Sequence, residues 1–285
     1  MEQIRALLFW LLALAAAPAT AEAPAGLRFL EARLADLGKV SPGNIGIAAL
    51  DLQTGEMVSV HGDEAFPMAS TVKVAVAANY LAQVEFGRRS LDDRIGGRTA
   101  AQLMDAMITR SDNHATDLLI RNLGGPAKIQ QWLEQRNVTG LRVDRTIAQL
   151  LAAKRDLWDV RDSSTPRAMV ELLRRLDDGT LVQPWSRQYL LGLMARCVTG
   201  KNRMRGMLPA GTRVEHKTGT LANYSSDVGF ITLPNGRRLA VAFFARSAPN
   251  RPQTIAAAAR AVYDGFDWYI RSPFPSVYDN GYGAP

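Results

Sequence analysis

This chain has little of the chemistry that thiols and metals supply. Cys197 is the only cysteine in 285 residues, so no internal disulfide can form even in an oxidising compartment. It sits in the apolar-rich stretch 190–198 with no histidine beside it, and reads as a small packed side chain rather than a nucleophile. The three histidines, His61, His114 and His216, are well separated and lack H-E-x-x-H spacing. That argues against metal catalysis, and nothing in the sequence calls for a cofactor. Runs of like charge are missing too. The net charge is +7, but the Lys and Arg residues are scattered with no tract of five. A nucleic-acid partner is therefore not expected, and the basic balance suits anionic envelope polymers or anionic substrates.

One apolar run, 6–17, follows Arg5 and leads to Ala19-Thr20-Ala21, the small-x-small pattern of a signal-peptidase site. It is short for a membrane span. The expectation is a signal peptide over 1–21, cleavage after Ala21, and a periplasmic or secreted mature chain with no span left. The rest is long enough for a substantial core, with 47% apolar and 21% charged residues. A monomer is expected.

Leu27, Leu30, Leu34 and Leu37 recur at helical spacing over 25–37, with Gly38 as the stop. Residues 44–51 and 57–61 read as strands joined by a turn at 53–56. From Ser70 to about 195 the chain reads almost wholly helical, most clearly at 72–86, 100–109, 114–122, 126–134, 166–177 and 186–195. Strands follow at 212–218, 224–233 and 238–246, the last two joined through Asn235-Gly236, and then an alanine-rich helix at 253–269. The fold class expected is α/β (α+β): a five-stranded antiparallel sheet built from both chain ends, flanked by terminal helices, with an all-helical domain alongside. The sheet domain would comprise 22–66 with 212–271 and the helical domain 67–211. The Pro-, Gly- and Tyr-containing tail, 272–285, is expected to be disordered.

Three short strings fall at the boundary between these lobes, where clefts commonly form: Ser70-Thr71-Val72-Lys73, Ser111-Asp112-Asn113 and Lys217-Thr218-Gly219. A lone S-x-x-K arises about once by chance in a chain this long, and is then a capping serine and a surface lysine. The two tripeptides are each far rarer, and their order narrows the reading to acyl transfer at a serine. Three residues apart on a helix, Ser70 and Lys73 share one turn. Lys73 can accept the Ser70 proton only if its pKa is depressed, and burial plus a second ammonium, Lys217, would depress it. Ser111 can shuttle a proton to a leaving nitrogen, and Asn113 can bind a substrate carbonyl and the lysine together; the plainer reading is a helix cap ahead of His114. Lys217-Thr218-Gly219-Thr220 reads as an exposed strand. There Gly219 would let substrate approach the backbone, and the Thr220 N–H could complete an oxyanion hole with that of Ser70.

With these strings the chain resembles the class A serine β-lactamases and related penicillin-recognising hydrolases, over about residues 26–270. The resemblance implies Ser70 as the acylated nucleophile, Lys73 as its base or proton relay, Ser111 as shuttle and Asn113 as substrate amide binder. It also implies that Lys217, Thr218 and Thr220 hold a substrate carboxylate. The segment Asn202-Arg203-Met204-Arg205 with Leu208-Pro209 is similar to the family segment that delivers a carboxylate-binding arginine, here Arg203. Arg145 and Asp162 match the ion pair closing the family's Ω-loop.

One departure stands out. The family carries a glutamate just after that loop arginine, which orients the water that deacylates the enzyme. Here Ile147 takes the place, no Glu lies between Glu134 and Glu171, and the loop is about two residues longer. Asp156 and Asp159 are the candidate substitutes. The connection from Lys73 to Ser111 is also shorter, trimming one wall of the cleft. Losing general-base assistance costs roughly 10²–10⁴-fold. The reading is thus an exported active-site-serine hydrolase that opens β-lactam amides and deacylates slowly. The alternatives are a penicillin-binding-protein-like D,D-peptidase or esterase acting on D-Ala-D-Ala-type peptides, and a non-catalytic module binding cell-wall peptides or β-lactams. Retention of Ser70, Lys73, Ser111 and Lys217 together counts against the last.

Overall fold

The computed structural model describes residues 23–40, 44–154, 156–247 and 249–272. The expected signal peptide with its cleavage point, and the tail beyond Ser272, lie outside the described residues.

The strands are β1 (Asn44–Asp51), β2 (Met57–Val60), β3 (Phe66–Pro67), β4 (Arg94–Ile95), β5 (Arg98–Thr99), β6 (Ser163–Ser164), β7 (Val214–Leu221), β8 (Tyr224–Thr232) and β9 (Arg238–Arg246). The helices are α1 (Arg28–Val40), α2 (Lys73–Glu85), α3 (Ala100–Thr109), α4 (Asn113–Asn122), α5 (Pro126–Gln135), α6 (Ile147–Ala152), α7 (Pro166–Asp177), α8 (Pro184–Ala195) and α9 (Arg251–Arg271). Five strands form one antiparallel sheet in the order β2-β1-β9-β8-β7. It combines the two ends of the chain, as the sequence pattern requires, and leaves β7 on an edge.

Alternation along the strands separates two cores. Ile45, Ile47, Ala49, Val241, Phe243 and Ala245 face α1 and α9, meeting Leu30, Leu34, Val262 and Phe266. Ala48, Leu50, Val228, Phe230, Ala242 and Phe244 face the other way and join a larger core with Val170 and Leu173 of α7 and the apolar residues of α2. At about 25 cal/mol per Å², burial of this kind is the main favourable term in folding.

Local chemistry fixes the helix starts. Thr99 with Gln102 and Thr146 with Gln149 form capping boxes at α3 and α6, and Thr165 caps α7 ahead of Pro166. α1 runs past the expected stop at Gly38 to Val40, because Gly38 does not take the left-handed φ that ends a helix. The stretch 70–195 is less uniformly helical than its sequence suggests: β4 and β5 make a small hairpin, and β6 pairs with β3.

α2 carries the site. Every residue from Lys73 to Ala82 is buried, as expected for a helix apolar on all faces. Its small residues, Ala75, Ala77, Ala78 and Ala82, let neighbours close in. The consequence is a lysine ammonium held inside the protein.

Candidate active site

Ser70 lies in a 3-10 turn, Ala69–Val72, leading directly into Lys73, the first residue of α2. The turn is held from three sides. Met68 N donates to Asp162 O at 2.9 Å, both the backbone N–H and the hydroxyl of Thr71 donate to Met68 O, and the Tyr224 hydroxyl donates to Pro67 O. Ala69 has φ +50°, a left-handed value unusual for alanine. Ser70 itself is only half-buried.

Ser111 also adopts a left-handed conformation, φ +61°. It turns the chain between α3 and α4 so that Ser111 and Asn113 face Lys73 while Asp112 caps α4 through Ala115 N at 2.8 Å. The helix cap falls on Asp112, while Ser111 and Asn113 on either side of it meet Lys73. Lys73 Nζ donates to Ser111 O at 2.8 Å, Ser111 Oγ at 3.1 Å and Asn113 Oδ1 at 2.7 Å. Lys217 Nζ donates to the same Ser111 Oγ at 3.0 Å and to Thr218 O at 2.8 Å. One hydroxyl thus bridges two buried ammonium groups. Burial, then the positive charge of Lys217, lowers Lys73 to about 7. Burial is also the first cause of the lowering of Lys217 to about 8.

The strand 217–220 is not uniformly exposed: Lys217, Thr218 and Gly219 are buried, and only Thr220 is open. The Met68–Ala69 turn covers it. A Cβ on Gly219 would stand 2.4 Å from Ser226 Oγ, 2.7 Å from Met68 O and 3.1 Å from Ala69 Cβ. The glycine is needed for the chain's own packing against the Met68–Ala69 turn. Arg203 reaches round this strand, donating from Nη1 to Gly219 O at 2.8 Å and Ser226 O at 3.0 Å, and from Nη2 to Thr220 Oγ1 at 2.7 Å. Ser70, Lys73, Ser111, Asn113, Lys217, Thr218, Gly219, Thr220 and Arg203 are thereby placed around one edge of the sheet.

Arg145 Nε and Asp162 Oδ2 are 2.6 Å apart, and Asp162 Oδ1 accepts the backbone N–H groups of Asp144 and Arg145. Ile147 is the first residue of α6, and its side chain is buried in the large core. Asp159, a candidate substitute for the missing glutamate, is ill-suited to act as a base. Hydrogen bonds from Arg161, and then from Arg145, hold its carboxyl well below the usual carboxylate range. Asp156 is engaged locally, accepting from Trp158 N at 3.1 Å.

Three groups lie outside the sequence reading. Thr199 Oγ1 is 2.5 Å from Thr218 Oγ1 and 3.2 Å from Cys197 Sγ, so the cysteine adjoins the site through a hydroxyl. Asp117, on α4, accepts from Ile147 N and Ala148 N. His216 pairs with Asp227 behind β7. Only Asp117 left a sequence signal: an acid four residues after Asn113, beside the apolar Leu118, Leu119 and Ile120. No group of three or more potential metal ligands occurs among the described residues.

The model of the family described as "Beta-lactamase enzyme family" matches residues 29–266. The carbapenem-hydrolysing β-lactamase KPC of Klebsiella oxytoca is 33% identical over 248 residues, covering 78% of this chain and 84% of its own. β-Lactamase CTX-M-8 of Citrobacter amalonaticus is 32% identical over 263 residues, covering 83% and 89%. Among solved structures, an ancestral (GNCA) class A β-lactamase is similar at 37% identity with a TM-score of 0.79, covering 83% of this chain and 100% of its own. A β-lactamase from Chitinophaga pinensis is similar at 26% identity and TM-score 0.78, covering 84% and 99%.

Proposed function

The chain belongs to the β-lactamase enzyme family, among its class A serine hydrolases, and from that membership we propose that it opens β-lactam amides through an acyl-enzyme on Ser70 and deacylates slowly. The observation that carries this reading is the Ser111 hydroxyl between Lys73 and Lys217.

With Lys73 neutral, its two N–H bonds go to the oxygens it meets most closely, Ser111 O and Asn113 Oδ1, and its lone pair takes a remaining tetrahedral direction. It can then remove the Ser70 proton as Oγ attacks the lactam carbonyl. The resulting oxyanion is received by the N–H groups of Ser70 and Thr220. Once Lys73 is an ammonium, Ser111 Oγ accepts from both lysines, so its own proton is free to pass to the leaving nitrogen. Lys73 then returns a proton to Ser111 and is neutral again. The C–N bond breaks, the ester on Ser70 remains, and protons balance. Lys217, Thr218, Thr220 and Arg203 hold the substrate carboxylate, and Asn113 binds the substrate amide.

Deacylation lacks a base. The position after Arg145-Thr146 carries the buried hydrocarbon of Ile147, and Asp159 is neutralised as a base by its arginines. The same observation favours the second reading, a penicillin-binding-protein-like D,D-peptidase or esterase on D-Ala-D-Ala-type peptides, where a different leaving group and substrate-assisted water make the glutamate dispensable. The functional unit we propose is an exported monomer with its site between a sheet lobe, 22–66 with 212–271, and a helical lobe, 67–211. No helix among the described residues is long and apolar enough to cross a membrane.

Intact mass spectrometry after mixing with benzylpenicillin tests the reading. A penicilloyl adduct lasting minutes and absent in Ser70→Ala is expected. Penicillin consumption without an adduct would make the chain a fast β-lactamase, and neither adduct nor consumption would remove the activity. Release of D-Ala from a D-Ala-D-Ala peptide would favour the second reading.

A further inference from the structure

His216 and Asp227 are both fully buried, on adjacent strands directly behind the Lys217–Thr220 segment. Asp227 stands opposite Thr218 in the register, which makes it the diagonal neighbour of His216 on one face of the sheet. His216 Nδ1 lies 2.8 Å from Asp227 Oδ1. Arg205 Nε lies 3.2 Å from His216 Nε2. A guanidinium can only donate, so Nε2 is the acceptor, and Nδ1 carries the ring proton and donates it to Asp227. The ring is thus held from both sides.

The other ends of this network converge on a single turn, Met204–Met207. Asp227 Oδ2 accepts from Met204 N at 3.1 Å, and Arg205 is additionally tied to Val214 O at 2.6 Å. These two anchors fall on the two residues immediately after Arg203. Arg203 also has its own backbone closed into the loop, through Arg203 N to Gly200 O and Gly206 N to Arg203 O. Its side chain leaves this pinned backbone to reach Gly219 O, Ser226 O and the exposed Thr220 hydroxyl. Small errors in placing a charged hydrogen-bond donor lower its value steeply, so whatever fixes the turn fixes the cation.

We propose that the His216–Asp227 pair is a positioning device for Arg203, and that through Arg203 it sets affinity for the substrate carboxylate without touching substrate. The inference rests on the reading of Arg203 as a carboxylate-binding cation. It separates residues 216 and 227 from a general role in core stability, because the effect must depend on the substrate carrying a carboxylate.

The test compares acylation by benzylpenicillin with acylation by its methyl ester, which has no carboxylate. In His216→Asn the amide can still donate to Asp227 but cannot span to Arg205. In Asp227→Asn the amide nitrogen cannot accept from Met204 N once the oxygen serves His216. In each variant the second-order acylation rate with benzylpenicillin is expected to fall about 10- to 100-fold, the worth of a charge-assisted hydrogen bond, while the ester changes by less than about twofold. Arg203→Ala should show the same selectivity, and adding His216→Asn to it should cost nothing more. Equal slowing of both substrates, additivity with Arg203→Ala, or loss of the fold in both variants overturns the inference and makes the pair structural. If the parent protein forms no adduct, the proposed function fails and the inference falls with it. If the parent reacts and the variants match it, the inference alone fails.

Discussion

Asp117 accepts the backbone N–H of Ile147 at 2.7 Å with one carboxylate oxygen, while the other accepts from Ala148 N at 2.9 Å. A buried acid thus holds the first turn of α6, at the point where the family's deacylating glutamate is absent. The helix start is held by Asp117 and by the Thr146–Gln149 capping box, and we assign Ile147, its first residue, to the glutamate's place. Ile147→Glu is therefore expected to put a carboxylate at this helix start and shorten the penicilloyl adduct's lifetime by about 10²–10⁴-fold, read by intact mass spectrometry over time. An unchanged lifetime would show that α6 aims residue 147 away from the ester.

Removing the acid itself has a different consequence. Asp117→Ala leaves two N–H groups without their acceptor, and the Ile147 donor is fully buried. Each costs about 1–3 kcal/mol, so thermal unfolding should shift down by several degrees and proteolysis should begin near α6. Asp117→Asn keeps one acceptor and should fall between the two. Full stability in Asp117→Ala would mean that the Thr146–Gln149 capping box alone holds this helix.

The pH profile of acylation follows from the two lysines. Lys73 must be neutral to take the serine proton, and its neutral fraction grows as pH rises through about 7. Lys217 must stay charged to hold a carboxylate, and it loses that charge above about 8. The acylation rate should rise through about 7, peak between the two values and fall above about 8. Lys217→Ala removes the neighbouring charge that helps lower Lys73, so its rising limb should move to higher pH. A rising limb that stays in place would assign the lowering wholly to burial.

Much of this was legible in the sequence, for reasons that can be located. β1 and β9 match the segments 44–51 and 238–246 because each is a strand whose two faces both enter a core, and turn residues bound them sharply. The pairs β3–β6 and β4–β5 were not legible, since two-residue strands carry no periodicity. The three strings come together in the structure because local order sets the 70–73 turn and the 111–113 corner. Burial of Gly219 was not readable from a polar K-T-G-T segment, because the cover comes from Met68 and Ala69, about 150 positions earlier in the numbering. The His216–Asp227 pair was hidden for a related reason: it exists only in one register of β7 against β8.

Gly219 tests how closely that cover fits. A methyl group there meets Ser226 Oγ at 2.4 Å and the Met68 carbonyl at 2.7 Å, and Met68 belongs to the turn that carries Ser70. The serine hydroxyl can rotate away, but a backbone carbonyl cannot. Gly219→Ala should therefore cost about 1–3 kcal/mol in stability by overpacking. It should also slow acylation, since relief requires moving the nucleophile's turn. Melting and adduct formation measured together decide the matter; loss of stability with unchanged acylation would show that the sheet edge, not the turn, yields.

Asp162 links the loop to the nucleophile by backbone as well as by charge. Its carbonyl accepts from Met68 N, and its carboxylate accepts from Asp144 N, Arg145 N and Arg145 Nε. Its own φ is +50°, which aspartate and asparagine tolerate better than alanine does. Two variants separate these contributions. Asp162→Asn keeps the backbone preference and one acceptor, and loses mainly the ion pair with Arg145. Asp162→Ala loses both and leaves a nearly buried guanidinium with Asp159 as its remaining acid partner among the described residues. Breaking a buried pair from one side costs about 3–5 kcal/mol, so Asp162→Ala should melt far earlier than Asp162→Asn. If the Met68 contact also matters, adduct formation should slow in the alanine variant at temperatures where it is still folded, because the turn bearing Ser70 has lost its support. Equal acylation rates in the two folded variants would confine Asp162 to holding the loop closed.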